Sequence, residues 1–358
     1  GYLPSTTPHI ASEALWSHSG HLNFYKDAMY NSFGIENESY RLKPMNCPMH
    51  IKIYNHKPRS YKELPFRITE MGTVYRYEKS GVLQGLTRVR GFTQDDGHIM
   101  CTEEQLHDEL TEAMDLTMYV LKTFGFNEFE VNLSVRDPEN KEKYIGEDKD
   151  WEKAEEGLRL VLKNFGFEDY VTDIGGAVFY GPKIDIKVSD AIGRKWQLST
   201  IQVDFNLPGK FNMFYIDKEG NQKVPFMIHR ALLGSLERFM GVFIEHTNGA
   251  FPVWMCPIQV QIIPIGDKHL EYAKKLSDQL KGKHIRVSID DRSETMQAKI
   301  RDAQVKKIPY MFIVGDKEVE NNTVSVRLRT EENLGAKPLD EVIEKIEKMY
   351  LTKSLNLW

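Results

Sequence analysis

One cysteine and two histidines of this chain have the chemistry of a metal site. Cys47 lies in segment 45–50, where a proline indicates a turn; His98 lies in a polar predicted strand, and His229 in an apolar segment before a predicted helix. Zinc prefers thiolate and imidazole ligands, and three protein ligands leave one position open, as in catalytic zinc sites. The three residues are far apart in sequence, so spacing alone favours a buried thiol and two hydrogen-bonded core histidines over a metal site.

Four arginines lie in predicted strands or among apolar residues: Arg76, Arg88, Arg90 and Arg238. An inward-facing arginine needs an anionic partner, which is either a carboxylate of the protein or the phosphate of a ligand. Glu78 follows Arg76 by two positions and lies on the same face if the strand continues. The pattern therefore leaves structural ion pairs and a phosphate site as equal alternatives.

A glycine pair at residues 175–176 precedes a predicted strand. It follows neither of the glycine-rich phosphate-binding patterns, both of which lead into a helix. It is either a tight turn or a place where a substrate approaches the backbone beside Tyr180 and Lys183.

The elements that must position these residues form a predicted antiparallel sheet with packed helices in residues 1–254. Segments 66–76 and 88–99 alternate between apolar and polar residues, which is typical of strands. Thr102 begins a predicted capping box for a helix that ends at Gly125. Because several strands follow one another without intervening helices, this part is α+β.

From residue 255 onward, apolar strands alternate with amphipathic helices. The predicted strands are 258–265, 285–289, 309–314 and 324–328. Ser293 is the predicted N-cap of one helix, and the last helix follows Pro338. This alternation predicts that residues 255–358 form a smaller α/β domain with a mainly parallel sheet.

The composition of the 358-residue chain is 41% hydrophobic and 28% charged, which excludes a disordered, collagen-like or coiled-coil protein. Its net charge of −5 argues mildly against a protein that wraps nucleic acid non-specifically. That charge is unevenly distributed, with 18 basic and 16 acidic residues in 255–358 against 29 and 36 in 1–254. The difference is a weak indication that a polyanion binds the C-terminal part.

Three cysteines cannot form a disulfide framework, and their scarcity indicates a reducing compartment. The sequence has no apolar run long enough for a membrane span and no signal-peptide pattern at its start. We therefore expect a cytoplasmic protein without a membrane partner.

Five strings of the sequence carry a resemblance to a known family. They are residues 43–48, 88–96, 177–183, 227–239 and 315–320. Taken together they resemble the threonyl-tRNA synthetase family of class II aminoacyl-tRNA synthetases over essentially the whole chain. The resemblance implies a class II catalytic domain in residues 1–254, with an antiparallel sheet and flanking helices, followed by an anticodon-binding domain in 255–358.

The resemblance also implies a reaction and its participants. Threonine and ATP, with Mg²⁺, give threonyl-adenylate, and the threonyl group then passes to the 3′ end of tRNA(Thr). The implied zinc ligands, for one ion per subunit, are Cys47, His98 and His229, which reverses the preference drawn from spacing. The implied ATP-binding residues are Arg76, Glu78, Arg88, Gln197, Thr200 and Arg238, of which Arg76 and Arg238 are also catalytic. The implied threonine-binding residues are Gln94, Asp96, Tyr180, Lys183 and Gln202. The implied anticodon-binding residues are Glu318, Arg327 and Arg329.

Zinc in this arrangement would distinguish threonine from valine, which has the same shape without the hydroxyl group. Serine lacks only a methyl group, so it is excluded poorly and the mischarged product needs editing. The family often carries editing in an N-terminal domain, which we do not find in these residues.

Two features depart from the family pattern. Tyr77 stands where an asparagine usually follows the arginine of motif two. The helix of motif one is expected before Gly1, and only its following strand and Pro8 are present. We still expect a homodimer, which this helix helps to build in the family.

Two other functions compete with an active threonine–tRNA ligase. An inactive synthetase-like protein that binds tRNA would be expected to lack Arg76, Arg238 or the metal ligands, and all of them are present. A prolyl or seryl enzyme of the same class is disfavoured by the combination of Cys47, His98 and His229.

Overall fold

The computed structural model describes all 358 residues, which divide into two compact units. The first unit comprises residues Gly1–Lys122 and Phe126–Val242, and the second unit comprises Thr123–Gly125 and Phe243–Trp358. The domain boundary after residue 254, which we infer from the change of sequence pattern, stays a prediction.

Fourteen strands belong to the first unit. They are β1 (Leu3–Pro4), β2 (Ile10–Ser12), β3 (Phe33–Ile35), β4 (Glu38–Leu42), β5 (Arg59–Ser60), β6 (Phe66–Tyr75), β7 (Gly91–Cys101), β8 (Glu130–Val135), β9 (Val171–Ile174), β10 (Lys183–Ser189), β11 (Lys195–Asp204), β12 (Tyr215–Ile216), β13 (Gln222–Lys223) and β14 (Phe226–Ser235). The helices in this part of the chain are α1 (Glu13–His18), α2 (His21–Phe24), α3 (Cys47–Tyr54), α4 (Leu106–Thr123), α5 (Asp148–Asn164), α6 (Leu207–Lys210) and α7 (Leu236–His246).

The main sheet of the first unit has eight strands in the order β1-β6-β7-β14-β11-β10-β8-β9. All inner neighbours pair antiparallel, as predicted, whereas β1 pairs parallel with β6 and β9 pairs parallel with β8. The sheet is therefore mixed. The chain passes through α5 between β8 and β9, and such a crossover connection is what a parallel pair requires.

Alternation along the strands and periodicity along the helices account for the core. In β6 every second residue from Ile68 to Val74 is buried, and in α4 the face containing Leu110, Met114 and Leu121 is buried. The strand predicted to begin at residue 88 begins at Gly91 instead. Arg88 and Arg90 lie in the loop between β6 and β7, where Arg90 Nε donates to the carbonyl oxygen of Glu78 at 3.0 Å.

The second unit contains strands β15 (Val260–Pro264), β16 (Val287–Ile289), β17 (Tyr310–Val314), β18 (Thr323–Leu328) and β19 (Asn333–Pro338). Its helices are α8 (Leu270–Gly282), α9 (Met296–Val305), α10 (Asp316–Asn321) and α11 (Leu339–Leu351). The sheet order is β16-β15-β17-β18-β19, and buried apolar clusters cover both of its faces.

The sheet of the second unit is mixed and not mainly parallel. Strands β16, β15 and β17 are mutually parallel, but β18 and β19 form an antiparallel hairpin that the sequence pattern did not predict. Helix α9 also begins later than predicted, because Thr295 and not Ser293 is its N-cap and accepts from the backbone N–H of Ala298 at 3.3 Å.

None of the helices combines the length and the apolar character that crossing a membrane requires.

Candidate functional site

A cavity of about 370 Å³ lies on the main sheet of the first unit. Residues from β7, β10, β11 and β14, from the loop after β6 and from α7 line it. Every residue predicted to bind metal, ATP or threonine is among the lining residues. They are Cys47, Arg76, Glu78, Arg88, Gln94, Asp96, His98, Tyr180, Lys183, Gln197, Thr200, Gln202, His229 and Arg238.

The three predicted metal ligands meet on the floor of this cavity. Cys47 is the first residue of α3, while His98 and His229 lie directly opposite each other on the neighbouring strands β7 and β14. Their ligand atoms lie within 4.8 Å of one another, and all three side chains are buried. Strand pairing thus joins two histidines that are separated by more than a third of the chain.

The remaining ring nitrogens of the two histidines are held from behind. His229 Nε2 lies 2.9 Å from Asp204 Oδ2, and His98 Nδ1 lies 2.7 Å from His50 Nδ1. His50 Nε2 in turn lies 3.1 Å from Glu70 Oε2. An ionised carboxylate can only accept a hydrogen bond. In their neutral forms, His229 and His50 therefore each carry the proton on Nε2, the nitrogen that faces a carboxylate.

This proton assignment has a consequence for the centre of the site. If His50 donates to Glu70 through Nε2, its Nδ1 must accept a hydrogen bond from His98 Nδ1. The other nitrogen of His98, Nε2, then carries no proton and has a free lone pair. His229 Nδ1 also has a free lone pair, because the proton of this ring is on Nε2, which faces Asp204. His229 Nδ1 lies 3.0 Å from His98 Nε2. Two lone pairs directed at one point repel each other unless a cation lies between them. The donor set, with its fixed outer partners, therefore fits a zinc ion.

The electrostatics of the donors agree with this fit. Burial lowers the pKa of His98 well below its usual value, so the imidazole stays neutral as a metal ligand must. Burial, with Asp96 and Asp204 nearby, raises the pKa of the Cys47 thiol well above its usual range. A thiolate at this position therefore needs a metal cation to offset its charge.

The side chains predicted to bind threonine lie beside the metal donors. The Tyr180 hydroxyl donates to Gln202 Oε1 at 2.9 Å, and its ring stacks on that of His229 with centroids 5.0 Å apart. Asp96 accepts from Asn46 Nδ2 at 3.0 Å. This side of the cavity thus combines a carboxylate acceptor with fixed polar groups next to the metal donors.

The opposite side of the cavity is rich in positive charge. Arg238 donates through Nε to the carbonyl oxygen of Thr87 at 2.8 Å and through Nη1 to that of Gln197 at 3.0 Å, which leaves Nη2 without a protein acceptor. Burial and the nearby charges of Arg88 and Arg76 lower the pKa of Arg238.

One carboxylate partly offsets these charges. Glu78 lies 3.3 Å from Arg88, and Arg76 stacks over the ring of Phe92 at 5.0 Å without a carboxylate partner in hydrogen-bond contact. Of the two alternatives for these arginines, a structural ion pair or a phosphate site, Arg88 forms an ion pair within the protein. Arg76 and Arg238 have no carboxylate partner, and such unmatched positive charge suits an anionic ligand.

Sequence reasoning missed Asp185, a buried carboxylate that joins several of the predicted residues. It accepts from Gln197 Nε2 at 2.6 Å, from Thr200 Oγ1 at 3.0 Å, from Lys183 Nζ at 2.5 Å and from Ser134 Oγ at 2.8 Å. Regular alternation of polar residues along β10 was the signal for a polar face at this position. Asp185 therefore fixes the side-chain orientation of three predicted binding residues.

Asp95 was missed as well, and no signal in the sequence identifies it. Its carboxylate accepts the backbone N–H groups of Leu232, Leu233 and Gly234 at 2.9–3.1 Å, where the pairing of β14 with β7 is interrupted. Gly234 has a φ of +71°, and a Cβ atom there would lie 2.4 Å from the carbonyl oxygen of Leu198. This bend sets the direction in which the chain enters α7 and carries Arg238.

Behind the metal donors, Glu70 lies in a fully buried polar cluster. Burial alone would raise its pKa, but hydrogen bonds from His50, Lys43 and Thr7 outweigh that effect and lower the pKa from 4.5 to about 2. Lys43 Nζ lies 3.0 Å from Glu70 Oε1, and its side chain is completely shielded from solvent. The ionised form of Glu70 is therefore favoured in the folded protein.

We expect Glu70→Gln to be less stable than the parent protein at pH 7, because Lys43 loses a buried counterion. A lowered folded-state pKa contributes stability above pH 4.5 that is lost as the pH falls towards 2. The stability difference between the two proteins should therefore narrow across this interval. Urea unfolding at a series of pH values measures it, and a difference that stays constant down to pH 2 would contradict the assignment.

In the second unit, Glu318 and Arg327 lie on adjoining elements. Glu318 is in the first turn of α10, and its Oε2 accepts the backbone N–H of Gly315 at 2.9 Å. Arg327 is on β18, half-buried on the face opposite Val326, and its Nε has no partner within the protein. Both side chains are partly exposed, so each can present polar groups to a ligand, although the Nε atom of Arg327 itself is buried.

Arg329 differs from these two residues, because its guanidinium holds the backbone of the second unit together. Its Nη atoms donate to the carbonyl oxygens of Phe251, Ala250 and Lys307 at 2.7, 2.9 and 3.2 Å. Burial lowers the pKa of Arg329. These contacts favour a structural role for Arg329 over the anticodon-reading role predicted for it.

Comparison with known families identifies both parts of the chain. Residues 30–247 match the family model of the tRNA synthetase class II core domain (G, H, P, S and T), and residues 259–349 match that of the anticodon binding domain. The first match covers more than half of the chain, so the chain contains the core domain of a class II tRNA synthetase.

The relatives and solved structures agree with the family matches. The chain is 54% identical over 353 residues to the threonine–tRNA ligases of Sulfurihydrogenibium sp. and Aquifex aeolicus, covering 99% of this chain and 54% of each of theirs. It thus spans about half the length of the curated relatives it matches. The crystal structure of the RNA binding domain of threonyl-tRNA synthetase from Cryptosporidium parvum aligns with a TM-score of 0.90 and 39% identity, covering 97% of this chain and 86% of that one.

These findings confirm the resemblance inferred from the five sequence strings. The fold expected from it, a class II catalytic part followed by a smaller anticodon-binding α/β part, is confirmed too. The chain belongs to the class II aminoacyl-tRNA synthetases, in the threonyl-tRNA synthetase family.

Proposed function

We propose that this chain carries the aminoacylation and anticodon-binding parts of a threonine–tRNA ligase. It activates threonine with ATP to threonyl-adenylate and transfers the threonyl group to the 3′ end of tRNA(Thr). One observation carries the proposal: a single cavity holds three zinc-type donor atoms within 4.8 Å of one another on one side and three arginines on the other. An amino acid with a hydroxyl group suits the first side, and a triphosphate suits the second.

On the phosphate side, the protein contributes mainly charge and position. Attack of the threonine carboxylate on the α-phosphorus builds negative charge on the phosphate oxygens, and fixed cationic donors stabilise that charge. Arg76 binds the α-phosphate and the threonine carboxylate, and Arg238 binds the γ-phosphate side through its remaining Nη2 donor. Mg²⁺ enters with ATP as part of the substrate.

The nucleotide itself is bound by Glu78 and Arg88 at the mouth of the cavity and by Gln197 and Thr200 on β11. Glu78 accepts from the adenine amino group, and Arg88 adds a further phosphate contact. Gln197 and Thr200 both donate to the buried carboxylate of Asp185, so their side chains are already oriented before ATP binds.

On the threonine side, Cys47, His98 and His229 would hold zinc, which supplies a Lewis acid for the amino and hydroxyl groups of threonine. Asp96 accepts the proton of the threonine hydroxyl in a hydrogen bond. Gln94, Tyr180, Gln202 and Lys183 orient the amino and carboxylate ends. Tyr180 acts as a neutral donor, because burial raises its pKa well above the usual value.

The same arrangement explains the choice between similar amino acids. A site built to bind a hydroxyl group rejects an analogue without it by about 10⁴–10⁵-fold, so valine is excluded. Serine differs by one methyl group, which is worth only about 1–3 kcal/mol. Mischarged serine therefore requires a separate editing activity.

The second unit recognises the anticodon in this proposal. Guanidinium and carboxylate groups suit the edges of bases, since each forms directed hydrogen bonds with a subset of them. The proposal relies on Glu318 and Arg327, whose side chains are both partly exposed, and it does not include Arg329. We further propose a homodimer that acts in the cytoplasm, where translation takes place.

We expect Glu318→Ala and Arg327→Ala to weaken tRNA charging while leaving threonine-dependent pyrophosphate exchange unchanged. Loss of one directed base contact costs about 1–3 kcal/mol of discrimination, so kcat/KM for tRNA should fall roughly 10–100-fold. Glu320→Ala, an exposed carboxylate on the same helix, is the matched control. Equal losses in charging and in exchange would contradict an anticodon role.

The proposal as a whole is tested by two assays on the same preparation, pyrophosphate exchange with threonine and charging of tRNA(Thr). Both activities are expected. An inactive synthetase-like protein that only binds tRNA would show neither, and that result would replace the proposal.

A further inference from the structure

His50 is a buried histidine that the proposed reaction does not use. It lies in α3, three residues after Cys47, and is completely shielded from solvent. It is not among the residues that line the cavity. Any role it has in the site must therefore act through another side chain.

That side chain is His98. The two rings are 4.8 Å apart and nearly perpendicular, with Nδ1 facing Nδ1 at 2.7 Å. On its other side His50 Nε2 meets Glu70 Oε2 at 3.1 Å and Ser5 Oγ at 3.2 Å. Because Glu70 accepts from Nε2, His50 Nδ1 is an acceptor, and it holds the proton of His98 on Nδ1. The ligand nitrogen of His98 is thereby kept free of a proton.

The two histidine ligands have different supports. Asp204 supports His229 directly through its carboxylate, whereas the imidazole of His50 supports His98. The charge of Glu70 behind that imidazole is offset by Lys43, whose Nζ lies 3.0 Å away. One metal ligand therefore has a carboxylate directly behind it and the other has an imidazole, so less negative charge surrounds the metal than two carboxylate supports would place there.

We propose that His50 is a positioning residue for the metal centre. The Nδ1 atom of His50 fixes the tautomer and ring orientation of His98, and Glu70 in turn fixes the tautomer of His50. This inference rests on the proposed zinc site and assigns no contact between His50 and the metal or the substrate. It assigns the two nitrogens of His50 different tasks, and these can be separated by substitution.

Two polar variants of similar size make that separation. In His50→Asn the amide oxygen replaces Nδ1, so the acceptor for His98 is kept and the contact with Glu70 is lost. In His50→Gln the amide nitrogen replaces Nε2, so the contact with Glu70 is kept and the acceptor for His98 is lost. Each variant removes one hydrogen bond, which makes the two comparable in structural cost.

The measurement is zinc affinity by competition with a chromophoric chelator, on protein whose folding is checked by circular dichroism. We expect His50→Asn to bind zinc nearly as tightly as the parent and His50→Gln to bind about 10–100-fold more weakly, the usual effect of losing a support behind a ligand. The ligand-field spectrum after Co²⁺ substitution should change in His50→Gln only.

Each outcome decides between two ideas. If both variants bind zinc equally, whether tightly or weakly, His50 has only a structural role and this inference is overturned while the zinc site stands. If the parent protein itself binds no zinc, the zinc part of the proposed function fails and the inference fails with it.

Discussion

Cys47→Ala is expected to lose its zinc and its threonine-dependent pyrophosphate exchange together. The thiolate is the only sulfur donor of the cluster, and the remaining imidazoles of His98 and His229 would hold the ion with two protein ligands in place of three. Activation of threonine should fall by at least about 10²–10³-fold, the usual loss when one fixed electrostatic contact to a reacting group is removed. Metal analysis and the exchange assay on the same sample make the measurement.

Cys101→Ala is the matched control for this variant. Cys101 is also a buried thiol and lies at the end of β7, the strand that carries His98, but it is not part of the donor cluster. It should keep both zinc and activity. A zinc-free Cys47→Ala protein with full activity would contradict the role given to the metal.

Arg238→Ala is expected to lower kcat for pyrophosphate exchange by about 10²–10³-fold while leaving the zinc content unchanged. The guanidinium is anchored by the carbonyl oxygens of Thr87 and Gln197, so its remaining donor is held in place at the phosphate side of the cavity. Lysine at this position keeps the charge but not the planar group of donors, so Arg238→Lys should restore only part of the rate.

The control for Arg238 is Arg194→Ala, an exposed arginine at the turn between β10 and β11 that pairs with Asp190. It should retain full exchange activity. If Arg238→Ala changed only KM for threonine and left kcat intact, the assignment of this residue to the phosphate side would be wrong.

Local features of the fold were predictable because their signals are local. The buried face of α4 and the last helix α11 follow from apolar periodicity, and β6 follows from its alternation. The parallel edge strands and the β18–β19 hairpin were not predicted, since they depend on which distant segments pair. Strand β7 begins later than predicted, because Arg88 and Arg90 belong to a segment with a strand-like pattern but form hydrogen bonds to Glu78 within the loop that precedes the strand.

The metal cluster shows the limit of the sequence more sharply. Residue types alone could not distinguish Cys47, His98 and His229 from ordinary buried residues, since their proximity is produced by the pairing of β7 with β14. Resemblance to the family supplied the assignment. Neither source pointed to His50 or Glu70, whose importance is visible only from the contacts that join Glu70 to His50 and His50 to the ligand His98.

Pyrophosphate exchange with each of the twenty amino acids in turn tests the central claim most directly. We expect strong exchange with threonine, exchange with serine that is about 10–200-fold weaker, and none above background with valine. Equal exchange with valine would show that the hydroxyl group is not recognised. Exchange that depends on proline or another amino acid in place of threonine would contradict the account as a whole.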